Sequence, residues 1–314
     1  MKEASSESGR HLGLVGATLI GVGAIVGGGI LALAGVAFGA AGPAAIAAFA
    51  LNGIIALITA LSFAELASRF PQNGGTYSYA RKVYPVETAF TVGWVVWFAS
   101  MVAAVLYALG FGAFAALLVE QIWVLFDAPP AWVISGGTVR AFAVACTLVY
   151  TWSLTRKTGG GGQFATIGKV ALFAILIVAG FWALSKSPEG TVKDAVTPFF
   201  PTGLKGLFAA MGYTFIALQG FDLIAAVGGE VQRPAKTIPR AMFLSLGIAL
   251  LVYLPLLFLV NTIGIEPGGS VRALGQDHPE SIVAIAAERA MGRTGYWLVL
   301  VAAVLAMLSA LQAN

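Results

Sequence analysis

Apolar residues run on along most of this chain, without the polar positions that recur every turn or two on a water-facing helix. Long apolar stretches are centred near Ala24, Ile54, Met101, Ala145, Ile175, Phe215, Leu251 and Ala302, and short polar segments separate them. A helix of about 20 such residues crosses the hydrocarbon core of a bilayer. The pattern predicts an all-α membrane protein, a multi-pass helical bundle of about eight spans. Ala41-Gly42-Pro43 marks a tight turn between spans one and two, and the polar stretch from Glu65 to Pro85 follows span two. Span three covers roughly residues 86–118, span five 164–184 and span six 204–227. Gly159 and its neighbours to Gly162 predict a flexible inner turn after span four, which ends near Thr155-Arg156-Lys157. Residues 281–291 place Ile282, Ile285, Ala286 and Ala290 at helical spacing, which predicts an amphipathic piece on the outer face. Span eight starts near Thr294, and the chain stops at Asn314 in an apolar run, so it reads as a partial chain.

Two of these spans carry interruptions. Gly27-Gly28-Gly29 lies in the middle of span one, and Gly220 lies in span six. A glycine is about 1 kcal/mol worse than alanine inside a helix. Backbone freed in hydrocarbon costs several kcal/mol unless protein or a water-filled cavity receives it. Small residues also let helices approach closely, but three adjacent glycines exceed what packing needs. Paired interrupted spans point to the substrate site of a secondary transporter.

Composition narrows the class further. The chain is 59% hydrophobic and 10% charged, with mean hydropathy +0.88, whereas soluble domains are about 25% charged. The net charge of +4 is spread over many loops, so it reads as topology, with no nucleic-acid footprint. With the N-terminus inside, ten Lys and Arg residues fall in inner segments and seven in outer ones. Because the inner loops are shorter, the bias places the N-terminal tail, residues 1–11, in the cytoplasm of a plasma-membrane protein. Cys146 stands alone, His11 and His278 are isolated, and no Walker A, HExxH or GxSxG pattern occurs. These features predict no metal, no cofactor and no enzyme.

Ala64-Glu65-Leu66-Ala67-Ser68-Arg69-Phe70-Pro71 followed by Gly74-Gly75-Thr76-Tyr77-Ser78-Tyr79-Ala80 resembles a signature of the amino acid–polyamine–organocation permeases. Ile25-Val26-Gly27-Gly28-Gly29-Ile30 and Gln219-Gly220-Phe221-Asp222 resemble that superfamily too. So does Glu230-Val231 with Arg233-Pro234 and Ile238-Pro239-Arg240-Ala241. Details around Gln219 are most similar to a prokaryotic branch near the cationic amino acid transporters. The resemblance implies a five-plus-five inverted-repeat fold, with residues 12–184 as the first repeat (spans one to five). Residues 204–314 would then be an incomplete second repeat (spans six to eight). It also implies a secondary active transporter of amino acids or related amines, working by alternating access as a proton-coupled symporter. The alternatives are an exchanger without proton coupling, or a non-transporting membrane receptor or partner-dependent subunit. Oligomeric state is not read.

An amino acid is zwitterionic, so its site must answer two charges. Half-helix N–H groups suit a carboxylate and half-helix carbonyls suit an ammonium. Gly27, Gly28 and Gly29 are the candidates for the first. By similarity, the carbonyls of Ile25, Ile216, Ala217 and Gln219, beside Gly220, would receive the second. The Gln219 side chain either contacts substrate or pairs with freed backbone. Ser100 lines a cavity or bonds a neighbouring helix. Lys169, inside span five, either snorkels to the inner surface or is a buried functional amine. The resemblance puts Lys169 in the place of a sodium ion beside the span-one break, as the proton-coupling residue. Asp222 is a gating carboxylate or a local hydrogen-bond acceptor. Glu65, Arg69, Arg81 and Glu230 read as a solvated inner gate network.

Overall fold

A computed structural model describes residues 10–70, 75–154, 162–266 and 268–313. Most of the N-terminal tail, the 71–74 part of the signature and most of the 159–162 turn lie outside the described residues.

Span one is two helices, α1 (Leu14–Ile25) and α2 (Gly28–Ala41). A short 3-10 turn, Gly42–Ala44, leads into α3 (Ala45–Arg69). Gly42 has φ +61°, and a Cβ there would lie 2.6 Å from the Pro201 ring, so both backbone and space require glycine. After α4 (Gly75–Val83) come α5 (Val86–Trp123), α6 (Gly136–Leu154) and α7 (Gly162–Ser185). The short α8 (Thr191–Ala195) precedes span six, which comprises α9 (Gly203–Thr214), a 3-10 turn (Phe215–Leu218) and α10 (Leu223–Ala226). Then follow α11 (Pro234–Thr262), α12 (Val271–Asp277), α13 (Ile282–Met291) and α14 (Arg293–Ala313). Pro234 opens α11 within its first turn, where its missing N–H has no helical partner to lose.

Among the described residues, six stretches are long and apolar enough to cross a membrane: Leu14–Arg69, Val86–Trp123, Thr166–Ser185, Gly203–Ala226, Pro234–Thr262 and Arg293–Leu311. The first, at 56 residues, contains spans one and two. The expected span four forms helix α6 but falls outside this set. Its first turns hold Gly136, Gly137, Thr138 and Arg140, which dilute its apolar character. No strand forms among the described residues; one isolated parallel bridge joins Leu12 to Val231.

Two packing groups organise the bundle. In one, α11 lies along α3 and α1 while α9 lies along α2 and α3. In the other, α5 packs on α6 and α14, and α13 packs on α14 and α7. Helix α7 also touches α1 and α11, so it bridges the groups. Small residues permit these approaches. A Cβ on Gly53 would lie 2.5 Å from Leu250, and one on Gly180 would lie 2.6 Å from Leu259. The 281–291 piece is a helix as expected, but Ile282, Val283, Ala284, Ala286 and Ala287 are all buried, so it is built into the bundle.

Candidate substrate site at two backbone breaks

Helix α1 stops at Ile25. Val26 is extended, and α2 restarts at Gly28. The span-six interruption is longer. Backbone leaves the α-helix after Thr214, makes one 3-10 turn, extends at Gln219 and turns at Gly220, where φ is +122°. The two breaks touch. A Cβ on Gly220 would lie 2.7 Å from Ala24 Cβ and 3.1 Å from the Ala24 carbonyl carbon, while one on Gly29 would lie 2.8 Å from Ala217 Cα. Glycine is required at 220 twice over, by positive φ and by the approach of span one.

Beside them lies a cavity of ≈330 Å³, within the range of small-molecule sites. Its wall is drawn from α1 (Ala24), α3 (Ala56, Thr59, Phe63), α5 (Ser100, Tyr107), α14 (Ala310) and the span-six break. Of the residues singled out from sequence, Ser100, Ile216, Gln219, Gly220 and Asp222 meet on this wall. Ile25, Gly27, Gly28, Gly29 and Ala217 do not. All five are buried behind it. The space a Gly28 side chain would need is taken by Met307 Sδ (2.9 Å) and by the ring of Tyr107 (3.1 Å), which itself lines the cavity.

Freed backbone at the span-one break is received by side chains from other helices. Lys169, on α7 and only 6% exposed, donates to the Gly23 carbonyl at 3.0 Å and to Ser309 Oγ of α14 at 3.0 Å. Its amine also faces Gly27, 3.4 Å from where a Cβ would stand. Lys169 is therefore directed into the bundle, away from the surface, and it ties α1 to α7 and α14. A Cβ on Gly23 would lie 2.5 Å from Thr166 Oγ1, so α1 and α7 approach closely one turn from this tie.

Tyr253, in the middle of α11 and wholly buried, donates its hydroxyl to the Ile25 carbonyl at 2.5 Å and lies 3.2 Å from the Ala217 carbonyl. Sequence reasoning missed Tyr253 and Tyr107. The available signal was a phenol in mid-span, since a buried Tyr hydroxyl needs a partner.

At the span-six break the chain satisfies itself locally. Gln219 N–H donates to the Ile216 carbonyl at 3.2 Å, and Leu223 N–H to the Gly220 carbonyl at 3.3 Å. Asp222 Oδ1 accepts from Gly220 N–H at 3.2 Å, so this carboxylate shapes the turn as well as lining the cavity.

The expected inner network divides. Arg69 pairs with Glu65 at 2.7 Å on the exposed end of α3. Glu230 faces His11 at 3.7 Å, and no ion pair joins Arg69 to Glu230 among the described residues. Glu230 is held through its backbone instead. Leu12 N–H donates to the Glu230 carbonyl at 2.9 Å, and Gln232 N–H to the Leu12 carbonyl at 2.8 Å.

Residues 12–313 match the family model described as amino acid permease. The chain belongs to the amino acid permease family. It is similar to the branched-chain amino acid permease BcaP of Bacillus subtilis (27% identical, covering 87% of this chain and 58% of that protein). It is similar to the inner membrane transport protein YbaT of Escherichia coli (27% identical, 100% and 69%). It is also similar to the serine/threonine exchanger SteT of Bacillus subtilis (30% identical, 78% and 53%). The chain thus spans about half to two thirds of the length of the curated relatives it matches. Membership in the permease family accounts for the multi-pass all-α fold, and the breaks at Val26-Gly27 and Gln219-Gly220 are where this family member departs from regular helix.

Proposed function

We propose that the protein is a secondary active transporter of amino acids, working by alternating access across the cell membrane with its N-terminus in the cytoplasm. The observation that carries this reading is the meeting of two helix breaks beside one cavity, with no Arg or Lys side chain on the cavity wall among the described residues. A zwitterion can be recognised there by backbone. N–H groups of Gly27, Gly28 and Gly29 at the start of α2 suit the carboxylate. Carbonyls of Ile25, Ile216, Ala217 and Gln219 suit the ammonium. Ser100 and the Gln219 side chain would face the substrate side chain. Arg69 and Glu230, at the inner ends of spans two and six, would then mark the closing surfaces. The relatives named as an amino acid permease and an amino acid exchanger support the same substrate class.

Proton symport is the coupling we infer, through Lys169. Its charged amine makes charge-assisted hydrogen bonds that hold α1 against α14, and such bonds are about twice as strong as neutral ones. Loss of the proton weakens the tie and frees α1 beside its break. The exchanger among the relatives favours one second reading, exchange without proton coupling.

Both readings are tested by one pair of measurements on reconstituted protein. The first is thermal stabilisation across the twenty amino acids and common polyamines. The second is uptake and counterflow with and without an inward proton gradient. Stabilisation by a subset of amino acids and gradient-driven uptake are expected. Counterflow indifferent to the gradient would replace symport by exchange. Binding without flux would point to a receptor or a partner-dependent subunit.

A further inference from the structure

Tyr253 stands on a helix that belongs to neither broken span, yet its hydroxyl touches both breaks. The ring is fixed from behind by Phe49 of α3, edge to face, with centroids 5.9 Å apart and planes at 89°. Both side chains are completely buried. The hydroxyl reaches the Ile25 carbonyl, the last helical carbonyl of α1, at 2.5 Å, and the Ala217 carbonyl in the 3-10 turn of span six at 3.2 Å. A phenol has one proton to donate and can also accept. The shorter contact puts that proton on Ile25, and Ala217 keeps capacity for a further donor.

We propose that Tyr253 is a positioning residue for substrate: it pins the span-one and span-six breaks to each other, so that the ammonium-facing and carboxylate-facing backbone is presented as one preformed unit. This rests on the proposed reading of the breaks as an amino acid site. Without the hydroxyl, the buried Ile25 carbonyl loses its donor and the Ala217 carbonyl loses its polar neighbour. The breaks must then shift or regain helical bonds, and either change moves the backbone groups meant for the substrate. Because it acts through backbone subsites shared by all amino acids, Tyr253 affects every substrate equally. A residue contacting substrate side chains would instead reorder preferences.

The test is Tyr253→Phe, which keeps the ring against Phe49 and removes only the oxygen. Affinities for several bound amino acids are measured on the variant and the parent by ligand-induced thermal stabilisation. Each affinity is expected to fall by the same factor, about tenfold or more, the size set by leaving a buried carbonyl unsatisfied. Phe49→Leu loosens the ring from outside both breaks, and it is expected to weaken every substrate by one common smaller factor, about threefold; it decides the question if Tyr253→Phe does not fold. Parental affinities in a folded variant overturn the proposal, as does a loss that differs between substrates. If the parent itself is stabilised by no amino acid, the underlying reading of the site has failed. Binding by the parent with an unaffected variant removes the role of Tyr253 alone.

Discussion

At the span-six break the backbone closes on itself. Turn bonds from Gln219, Leu223 and Ile224, with the Asp222 carboxylate on Gly220 N–H, satisfy several of the freed groups within a few residues, and only the Ala217 carbonyl meets a side chain from another helix, Tyr253, among the described residues. At the span-one break the chain cannot do this, because Val26 and Gly27 are only two residues between helices. The donors come from far away in sequence, Lys169 on α7 for Gly23 and Tyr253 on α11 for Ile25. The span-six break lies on the cavity wall and is held mainly by local bonds. The span-one break is buried and held from other helices. A locally encoded break keeps its shape when neighbouring helices move, whereas an externally held one changes when they do. The contrast puts the span-six break on the cavity wall and makes the span-one break depend on the helices around it.

Substitutions at the glycines separate the two most sharply. Gly220→Ala places a Cβ against the backbone of Ala24 at a φ of +122°, and backbone cannot yield as a side chain can. We predict complete loss of amino acid binding in a protein that still inserts, read by ligand-induced thermal stabilisation alongside size-exclusion profiles. Gly28→Leu is expected to abolish binding as well, with insertion intact. Gly28→Ala needs only Met307 Sδ and the Tyr107 ring to shift and should retain measurable binding. Equal outcomes for the two alanine variants would erase the distinction between a backbone-walled and a side-chain-walled break.

Lys169→Ala removes two hydrogen bonds from a buried amine, each worth about 1.5–3 kcal/mol when charged. Uptake is predicted to lose its dependence on an inward proton gradient, with slower exchange at all pH values. A variant whose uptake still follows the gradient would leave Lys169 as a structural tie only. The smallest effect is expected at Gln219, whose side chain is exposed to the cavity. Gln219→Ala should change affinity about threefold, an exposed hydrogen bond's worth, and should reorder substrate preference. A uniform loss across substrates would show that Gln219 holds the turn.

The candidate site residues divide along the same line. Gly220, Gln219 and Asp222 are legible because a local interruption of an apolar span is written in consecutive residues, Ile216 follows from the family resemblance, Ser100 is a polar residue in the middle of another span, and all five meet on the cavity wall. Lys169 was legible as an anomaly, an amine inside an apolar span, but its direction was not. Snorkelling and inward burial differ by a helix rotation that only neighbouring helices fix. Gly27 to Gly29 were recognised as a break, yet their burial behind Tyr107 and Met307 depends on α5 and α14. Arg69 and Glu230 were grouped by charge alone, and the fold gives them different partners.

The hydrophobic pattern by itself determined an all-α membrane bundle, its approximate spans and the positions of its two breaks. These follow from a bilayer's thickness and from the cost of free backbone in hydrocarbon, which act on the chain segment by segment. The tertiary structure decided which break faces the cavity, and that Tyr253 and Lys169 reach the span-one backbone. Those depend on contacts between residues more than a hundred positions apart. Local periodicity holds no record of such contacts, because the side chains that complete the span-one break lie on helices that carry no break of their own.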